Sequence, residues 1–191
     1  MKSSSELYFV AIVLPDELAL RVRNIQEDIS KRFHSERSLH SPPHITLLPP
    51  FNFPVESKEK LESAIGDFAS QRMRFEITLS GFNCFKNRAK PVIFIHVDEN
   101  SALSHLQKDL VNDFERLQII PVEESRRDFH PHCTVAFRDL SAKFFKIAWN
   151  EFKDKRFEGS FLAKEICLLK STRGFWIPSY FAGFHPEPQK N

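Results

Sequence analysis

Pro43-His44-Ile45-Thr46-Leu47 and Pro131-His132-Cys133-Thr134-Val135 are two versions of one short pattern. Each follows a proline, which pushes the residue before it into extended backbone, and each is rich in strand-forming residues. Side chains alternate along a strand, so His44 shares a face with Thr46, and His132 with Thr134. Ile45 and Leu47, like Cys133 and Val135, point the opposite way into apolar packing. Each motif therefore presents one imidazole and one hydroxyl on a single surface.

The surroundings of the two motifs also match. Leu7 to Leu14 is an unbroken apolar run that reads as a central strand, and Pro15-Asp16 opens a helix carrying Leu18, Val22, Ile25, Ile29 and Phe33 at helical spacing. The first motif strand, His44 to Leu48, then stops at Pro49-Pro50. In the second half, Val92 to Val97 is the strand and Ser101 caps a helix bearing Leu103, Leu106, Leu110, Phe114 and Leu117. The second motif lies in a strand from Phe129 to Phe137. The offsets between the first strands, the helix starts and the two histidines agree within a few residues, which predicts two structurally equivalent units.

Between and after these units the pattern adds a helix from Ser57 to about Ser70 and a strand at Phe75 to Leu79. A further helix runs through Phe144 to Phe152, and two strands follow, Phe161 to Leu169 and Phe175 to Phe184. The predicted fold class is α+β: a bilobal arrangement of two pseudo-symmetric β-α-β units with largely antiparallel sheets, helices outside and a central cleft. No linker, charge block or low-complexity run divides the chain, so residues 1–191 read as a single domain with a flexible tail over 185–191.

Composition narrows the chemistry. The chain has 191 residues, with 27 Lys plus Arg against 25 Asp plus Glu and a formal charge of +2. That balance excludes polybasic nucleic-acid binding driven by the phosphate field alone. There are 20 Phe but only 5 Gly, and neither GxGxxG nor GxxxxGK[ST] occurs, which excludes Rossmann and P-loop nucleotide sites. Cys84, Cys133 and Cys167 are odd in number and far apart, so no disulfide framework or zinc ribbon is expected. Leu7 to Leu14 is too short for a signal peptide and lacks a cleavage site, so a soluble, cytoplasmic protein without a membrane partner is expected.

If the two units face each other across a pseudo-two-fold axis, two imidazoles and two hydroxyls converge on one volume. A phosphodiester suits such a quartet. Its non-bridging oxygens accept from Thr46 and Thr134, while one histidine takes a proton from water and the other gives one to the leaving oxygen. An imidazole pKa near 6.5 allows both roles near neutral pH, and the chemistry needs neither metal nor cofactor.

Two H-x-T motifs in a duplicated chain of this length resemble the 2H phosphoesterase superfamily, and within it the 2′-5′ RNA ligase and RNA 2′,3′-cyclic phosphodiesterase family. Phe9-Val-Ala-Ile-Val-Leu-Pro15 is similar to that family's first strand, and the likeness runs from about residue 7 to residue 184. The resemblance implies a bilobal α+β fold with a central cleft. It also implies His44 and His132 as the catalytic pair, Thr46 and Thr134 as phosphate ligands, no metal, and a 2′-phosphate product. Some members carry Arg five residues after the second histidine, where this chain has Phe137. Arg138 is one step further, and strand alternation would turn it away from the cleft.

Lys170 and Arg173, near the last hairpin, are therefore the candidate replacement cations. Phe9 and either Phe175 or Trp176 are the candidates for stacking on a base, while Phe51 and Tyr180 are expected in the core. His130 shares a strand face with His132 and lies near the cleft, but no carboxylate at a familiar spacing completes a metal site. Arg126-Arg127-Asp128 reads as a solvated turn beside the groove. His96 is expected to be a satisfied buried or rim histidine, and His34, His40, His105 and His185 are expected at the surface. The expected function is metal-independent hydrolysis of 2′,3′-cyclic phosphates at RNA ends or on small cyclic nucleotides, by a monomer. The rival readings are a noncatalytic nucleotide- or RNA-binding module using the same pocket and a metal hydrolase built on His130 and His132.

Overall fold

The computed structural model describes residues 4–86, 90–121 and 128–186. Arg126 and Arg127 fall outside them, as does the tail beyond residue 186. Eight strands and four α-helices follow one another as β1 (Ser5–Val13), α1 (Asp16–Phe33), β2 (His44–Pro54), α2 (Lys58–Ser70), β3 (Phe75–Phe85), β4 (Val92–Val97), α3 (Ser101–Arg116), β5 (His132–Ala136), α4 (Ala142–Phe152), β6 (Glu158–Ala163), β7 (Glu165–Thr172) and β8 (Phe175–Gly183). The strands form one sheet in the order β6-β3-β4-β5-β2-β1-β7-β8, and every neighbouring pair is antiparallel. The expected α+β class is borne out, with one continuous curled sheet in place of separate ones.

The order is a palindrome of roles. Read from the middle, β5-β4-β3-β6 and β2-β1-β7-β8 each run motif strand, first strand, next strand, edge. The halves meet where Ile45 of β2 pairs with Cys133 of β5, the middle residues of the two motifs. Helices cross between halves: α1 packs against β5, and α3 against β2. The apolar face of α1, with Leu18, Val22, Ile29 and Phe33 buried, thus backs the second motif. Ile45, Leu47, Cys133 and Val135 are buried on the helix-covered side, where each larger aliphatic side chain contributes about 1.5–3 kcal/mol. A smaller cluster of Phe9, Ala11, Cys167 and Leu169 lies on the opposite, concave side of the sheet.

Four boundaries differ from the sequence reading. β2 continues through Pro49-Pro50 because Tyr8 faces Phe51 and Val10 faces Leu48, so both prolines fall in a bulge where no ladder N–H is demanded. β3 extends to Phe85 through a bulge at Gly81, whose φ of 59° suits glycine. β5 begins at His132 rather than Phe129. The apolar run from Phe161 to Leu169 is two strands, not one. Lys164 alone separates β6, on one edge, from β7, next to the other edge, so the sheet must curl until those strands come within a residue's reach.

The tail is anchored at its start. His185 donates its N–H to Arg72 O (2.7 Å) and accepts from Arg74 N (3.3 Å). The cap of α3 is Asn100, one residue earlier than expected: its Oδ1 accepts from Leu103 N at 2.9 Å. Replacing Asn100 by Ala is expected to cost about 1 kcal/mol in urea unfolding, and Ser101→Ala a few tenths. Equal losses from the two variants would contradict the assigned cap.

Candidate active site

The central cavity has a volume of about 230 Å³ and lies over the junction of β2 and β5. His44, Thr46, His132 and Thr134 all line it. The pairing of Ile45 with Cys133 explains why. In an antiparallel pair it sets His44 level with Thr134 and Thr46 level with His132, and turns all four toward the face opposite the core. Each imidazole thus has the other motif's hydroxyl across from it, and the two rings lie on a diagonal.

Both rings are held alike. His44 Nδ1 lies 2.7 Å from Pro42 O, and His132 Nδ1 lies 2.6 Å from His130 O. A carbonyl can only accept, so each Nδ1 carries the proton and donates it, which leaves each Nε2 as the available nitrogen. In both motifs the acceptor is the carbonyl two residues earlier, so a short backbone turn before the strand fixes the tautomer. His130 therefore acts through its backbone. Its side chain lines a neighbouring cavity of about 580 Å³ with Phe85, Phe94 and His96.

Phenyl rings wall the imidazoles. Phe9 is 4.9 Å from the His44 ring between centroids; Phe94 and Phe85 are 5.0 and 5.2 Å from His132. Burial among them disfavours the imidazolium. The His44 pKa is pushed down to about 4, chiefly by desolvation, with the charge of His132 adding to the effect. The His132 pKa is lowered for the same first reason.

Arg138 also lines the cavity, against the expectation from strand alternation. β5 ends at Ala136, so alternation no longer applies at residue 138. Arg138 has a φ of 61°, and Asp139 N donates to Phe137 O at 2.7 Å, which makes a γ-turn centred on the arginine. The Asp139 carboxylate fixes that turn by accepting from Ser35 Oγ (2.8 Å), Glu36 N (2.8 Å) and Arg37 N (3.0 Å). Among the described residues Arg138 has no carboxylate partner; its guanidinium lies over the Phe137 ring at 5.3 Å.

Gln26 is a site residue that the α1 pattern hid, because it occupies the core stripe. It is 2% exposed, lines the cavity, and donates from Nε2 to Thr134 O at 3.0 Å. Its Oε1 has no hydrogen-bond partner. The remaining candidates divide. Phe9 and Trp176 line the cavity and meet edge-on at 4.7 Å between centroids. Lys170 does not: it pairs across from Tyr8 on the other face of the sheet and binds Glu6 at 2.5 Å. Arg173 and Phe175 sit at the tip of the β7–β8 hairpin, outside the cavity lining. His96 lines the neighbouring cavity and not this one, with its Nε2 3.9 Å from Asp98 Oδ1. Among the described residues no group of three or more His, Cys, Asp or Glu side chains is gathered as a metal site, and no helix is long and apolar enough to cross a membrane.

Comparison with known proteins agrees with this architecture. The chain is 29% identical over 131 residues to the RNA 2′,3′-cyclic phosphodiesterase of Geobacillus stearothermophilus; the match covers 68% of this chain and 41% of that protein's length. Its fold is similar to that of TT0787 of Thermus thermophilus, with a TM-score of 0.68, 19% identity, and coverage of 95% of this chain and 100% of the other. It is also similar to E. coli LigT complexed with 3′-AMP, with a TM-score of 0.65, 20% identity and coverage of 95% and 99%. Residues 14–175 match the family model of the 2′-5′ RNA ligase superfamily, and the chain belongs to that superfamily.

Proposed function

We propose that this protein is a phosphodiesterase that opens 2′,3′-cyclic phosphates on RNA ends or nucleotides by paired-histidine acid–base catalysis. The observation that carries the reading is the matched pair of Nδ1–carbonyl bonds, which leaves two Nε2 atoms beside two hydroxyls in one cavity. The name of the Geobacillus relative and the 3′-AMP bound by LigT support the substrate class.

The environments of the rings support a division of labour. His44, whose pKa is the more strongly lowered, stays neutral and takes a proton from water through Nε2 as the water oxygen attacks phosphorus. His132, beside the half-exposed Phe85, carries the proton and gives it from Nε2 to the ribose oxygen as the P–O bond breaks. The products are one phosphomonoester and one ribose hydroxyl, and proton exchange with solvent resets the pair. Thr46 and Thr134 donate to the non-bridging oxygens, and Arg138 adds a positive charge beside them. The unpartnered Gln26 Oε1 is an acceptor for a ribose hydroxyl. With the hydroxyl of a second RNA end in place of water, the same site would join two ends through a 2′-5′ bond.

The sign of the pH dependence follows from the shifts. Activity requires His44 neutral, so kcat/KM falls as pH drops toward about 4. It also requires His132 protonated, and a pKa lowered from 6.5 means that form is lost as pH rises through a value below 6.5. A bell-shaped kcat/KM profile with its maximum between those values is expected, and a maximum above about pH 7.5 would contradict the assignment.

Removing either imidazole is expected to lower kcat by about 10²–10⁴-fold. An aryl leaving group needs no proton, so an aryl phosphodiester should restore much of the loss in His132→Ala and none in His44→Ala. Activity on a 2′,3′-cyclic nucleotide should survive EDTA; loss of activity there would point to a metal hydrolase. Binding of 3′-AMP without turnover of any cyclic nucleotide would instead make the chain a binding module.

Arg138→Ala is expected to reduce kcat/KM by roughly 10–100-fold, the worth of a charge-assisted hydrogen bond to phosphate. Lys170→Ala, whose ion pair is on the other face, should change it less than about twofold. The reverse ranking would return the phosphate-binding role to the hairpin lysine.

A further inference from the structure

The tip of the β7–β8 hairpin makes a contact that the cyclic-phosphate chemistry does not use. Thr172 pairs with Phe175, so Arg173 and Gly174 form a two-residue turn, with φ of 51° and 86°. This turn touches the short 3₁₀ segment Arg37–His40 that leads into the first motif. His40 donates from Nδ1 to Gly174 O at 3.1 Å, and its ring stacks on Phe175 with centroids 4.5 Å apart and planes 17° from parallel. Phe175 is nevertheless 50% exposed. One face of the phenyl ring is covered by an oriented imidazole, and half of the residue's surface stays open to solvent.

The position of this pair is set by its neighbours. Ser41, next after His40, and Trp176, next after Phe175, both line the central cavity. His40 lies between Ser38 and Ser41, both of which line the cavity, so the pair borders that site with Phe175 held against the imidazole. The cavity itself, at about 230 Å³, is smaller than the roughly 300–1,000 Å³ typical of pockets that enclose a drug-sized ligand. A cyclic phosphate with its ribose fills such a volume, and the rest of a longer substrate must lie outside it. Arg173 is exposed at the turn beside this pair and has no carboxylate partner among the described residues. Burying a flat hydrocarbon ring at a hairpin tip would have stabilised the fold; holding it half-exposed with one face backed by an imidazole suits a second flat ring.

We propose that His40 and Phe175 form a rim platform that stacks the base of the nucleotide on the 5′ side of the cyclic-phosphate end, with Arg173 near the connecting phosphate. The substrate class is then an oligoribonucleotide end rather than a free cyclic mononucleotide. This inference rests on the proposed phosphodiesterase reading, because the cavity must hold the cyclic end for the platform to meet the next base. Stacking on aromatic side chains is worth enough per base to be read as a clear rate preference, and it is tolerant of base identity because every base has a flat face.

The test compares kcat/KM for a cyclic mononucleotide with that for a dinucleotide ending in the same 2′,3′-cyclic phosphate. The wild-type protein should prefer the dinucleotide by about 5–100-fold, as one base stack would give. In Phe175→Ala the ratio of the two values should fall to about one, in His40→Ala it should fall part of the way, and in Phe175→Trp it should be kept. Equal values in the wild type, or a ratio that Phe175→Ala leaves unchanged, would overturn the platform. The same dinucleotide with 2-aminopurine at its 5′ position reads stacking without turnover: fluorescence should be quenched by wild type and not by Phe175→Ala. A protein that hydrolyses neither substrate but quenches the probe would sink the catalytic reading and keep the platform. Hydrolysis of both substrates without quenching would do the opposite.

Discussion

The pairing of Ile45 with Cys133 is the contact through which the two halves become one site. Both side chains are fully buried, and both are the middle residue of an H-x-T motif. Because a strand has a period of two, fixing these two residues inward fixes their neighbours outward. A slip of one residue in either strand would send a histidine and a threonine into the core. Apolar burial on the helix side and polar convergence on the concave side are therefore a single constraint. The crossing of α1 onto β5 and α3 onto β2 reinforces it, since each half's helix seals the back of the other half's motif.

The same economy governs the imidazoles. A lone histidine on a strand can rotate and exchange tautomers. Here the carbonyl two residues earlier accepts from Nδ1 in both motifs, so ring orientation and tautomer are set by the backbone segment that leads into each strand. No carboxylate is required as an orienting partner. An orienting carboxylate would also raise the imidazole pKa, whereas the phenyl walls lower it. Burial among those rings therefore disfavours the charged form of both imidazoles, that of His44 most of all.

Much of this was legible in the sequence because it depends on periodicity. The two H-x-T strands, the apolar stripes of α1 and α3, and the equal spacing of the halves all survive translation into three dimensions. What could not be read has local causes. The division of Phe161 to Leu169 into β6 and β7 depends on sheet curl, which no periodicity records, because both strands are apolar and only Lys164 lies between them. Gln26 was missed because it lies in the core stripe of α1, where its amide serves a strand of the other half. Lys170 was misplaced because proximity in sequence to the hairpin says nothing of face, and opposite Tyr8 it turns to Glu6. Of the three phenyl rings that wall the imidazoles, only Phe9 is marked by its sequence context; nothing in the pattern sets Phe85 and Phe94 apart from core phenylalanines.

Arg138 shows how a rule of alternation is escaped. An arginine one residue out of step on a continuing strand would face the core, where an unpaired charge is strongly destabilising. Ending the strand at Ala136 removes that requirement, and a γ-turn with a left-handed arginine swings the side chain back over the cavity. Such a backbone costs on the order of 1–3 kcal/mol for a residue other than glycine and persists only where its surroundings over-determine it. Asp139 supplies that determination, since its carboxylate accepts from one hydroxyl and two backbone N–H groups of the segment after α1. The same bonds occupy the negative charge next to Arg138, so the guanidinium is left for the cavity and not drawn into an ion pair with its own neighbour. A strained turn, a satisfied carboxylate and an unpaired cation are then parts of one arrangement, which ties the end of the second motif strand to the helix that backs it.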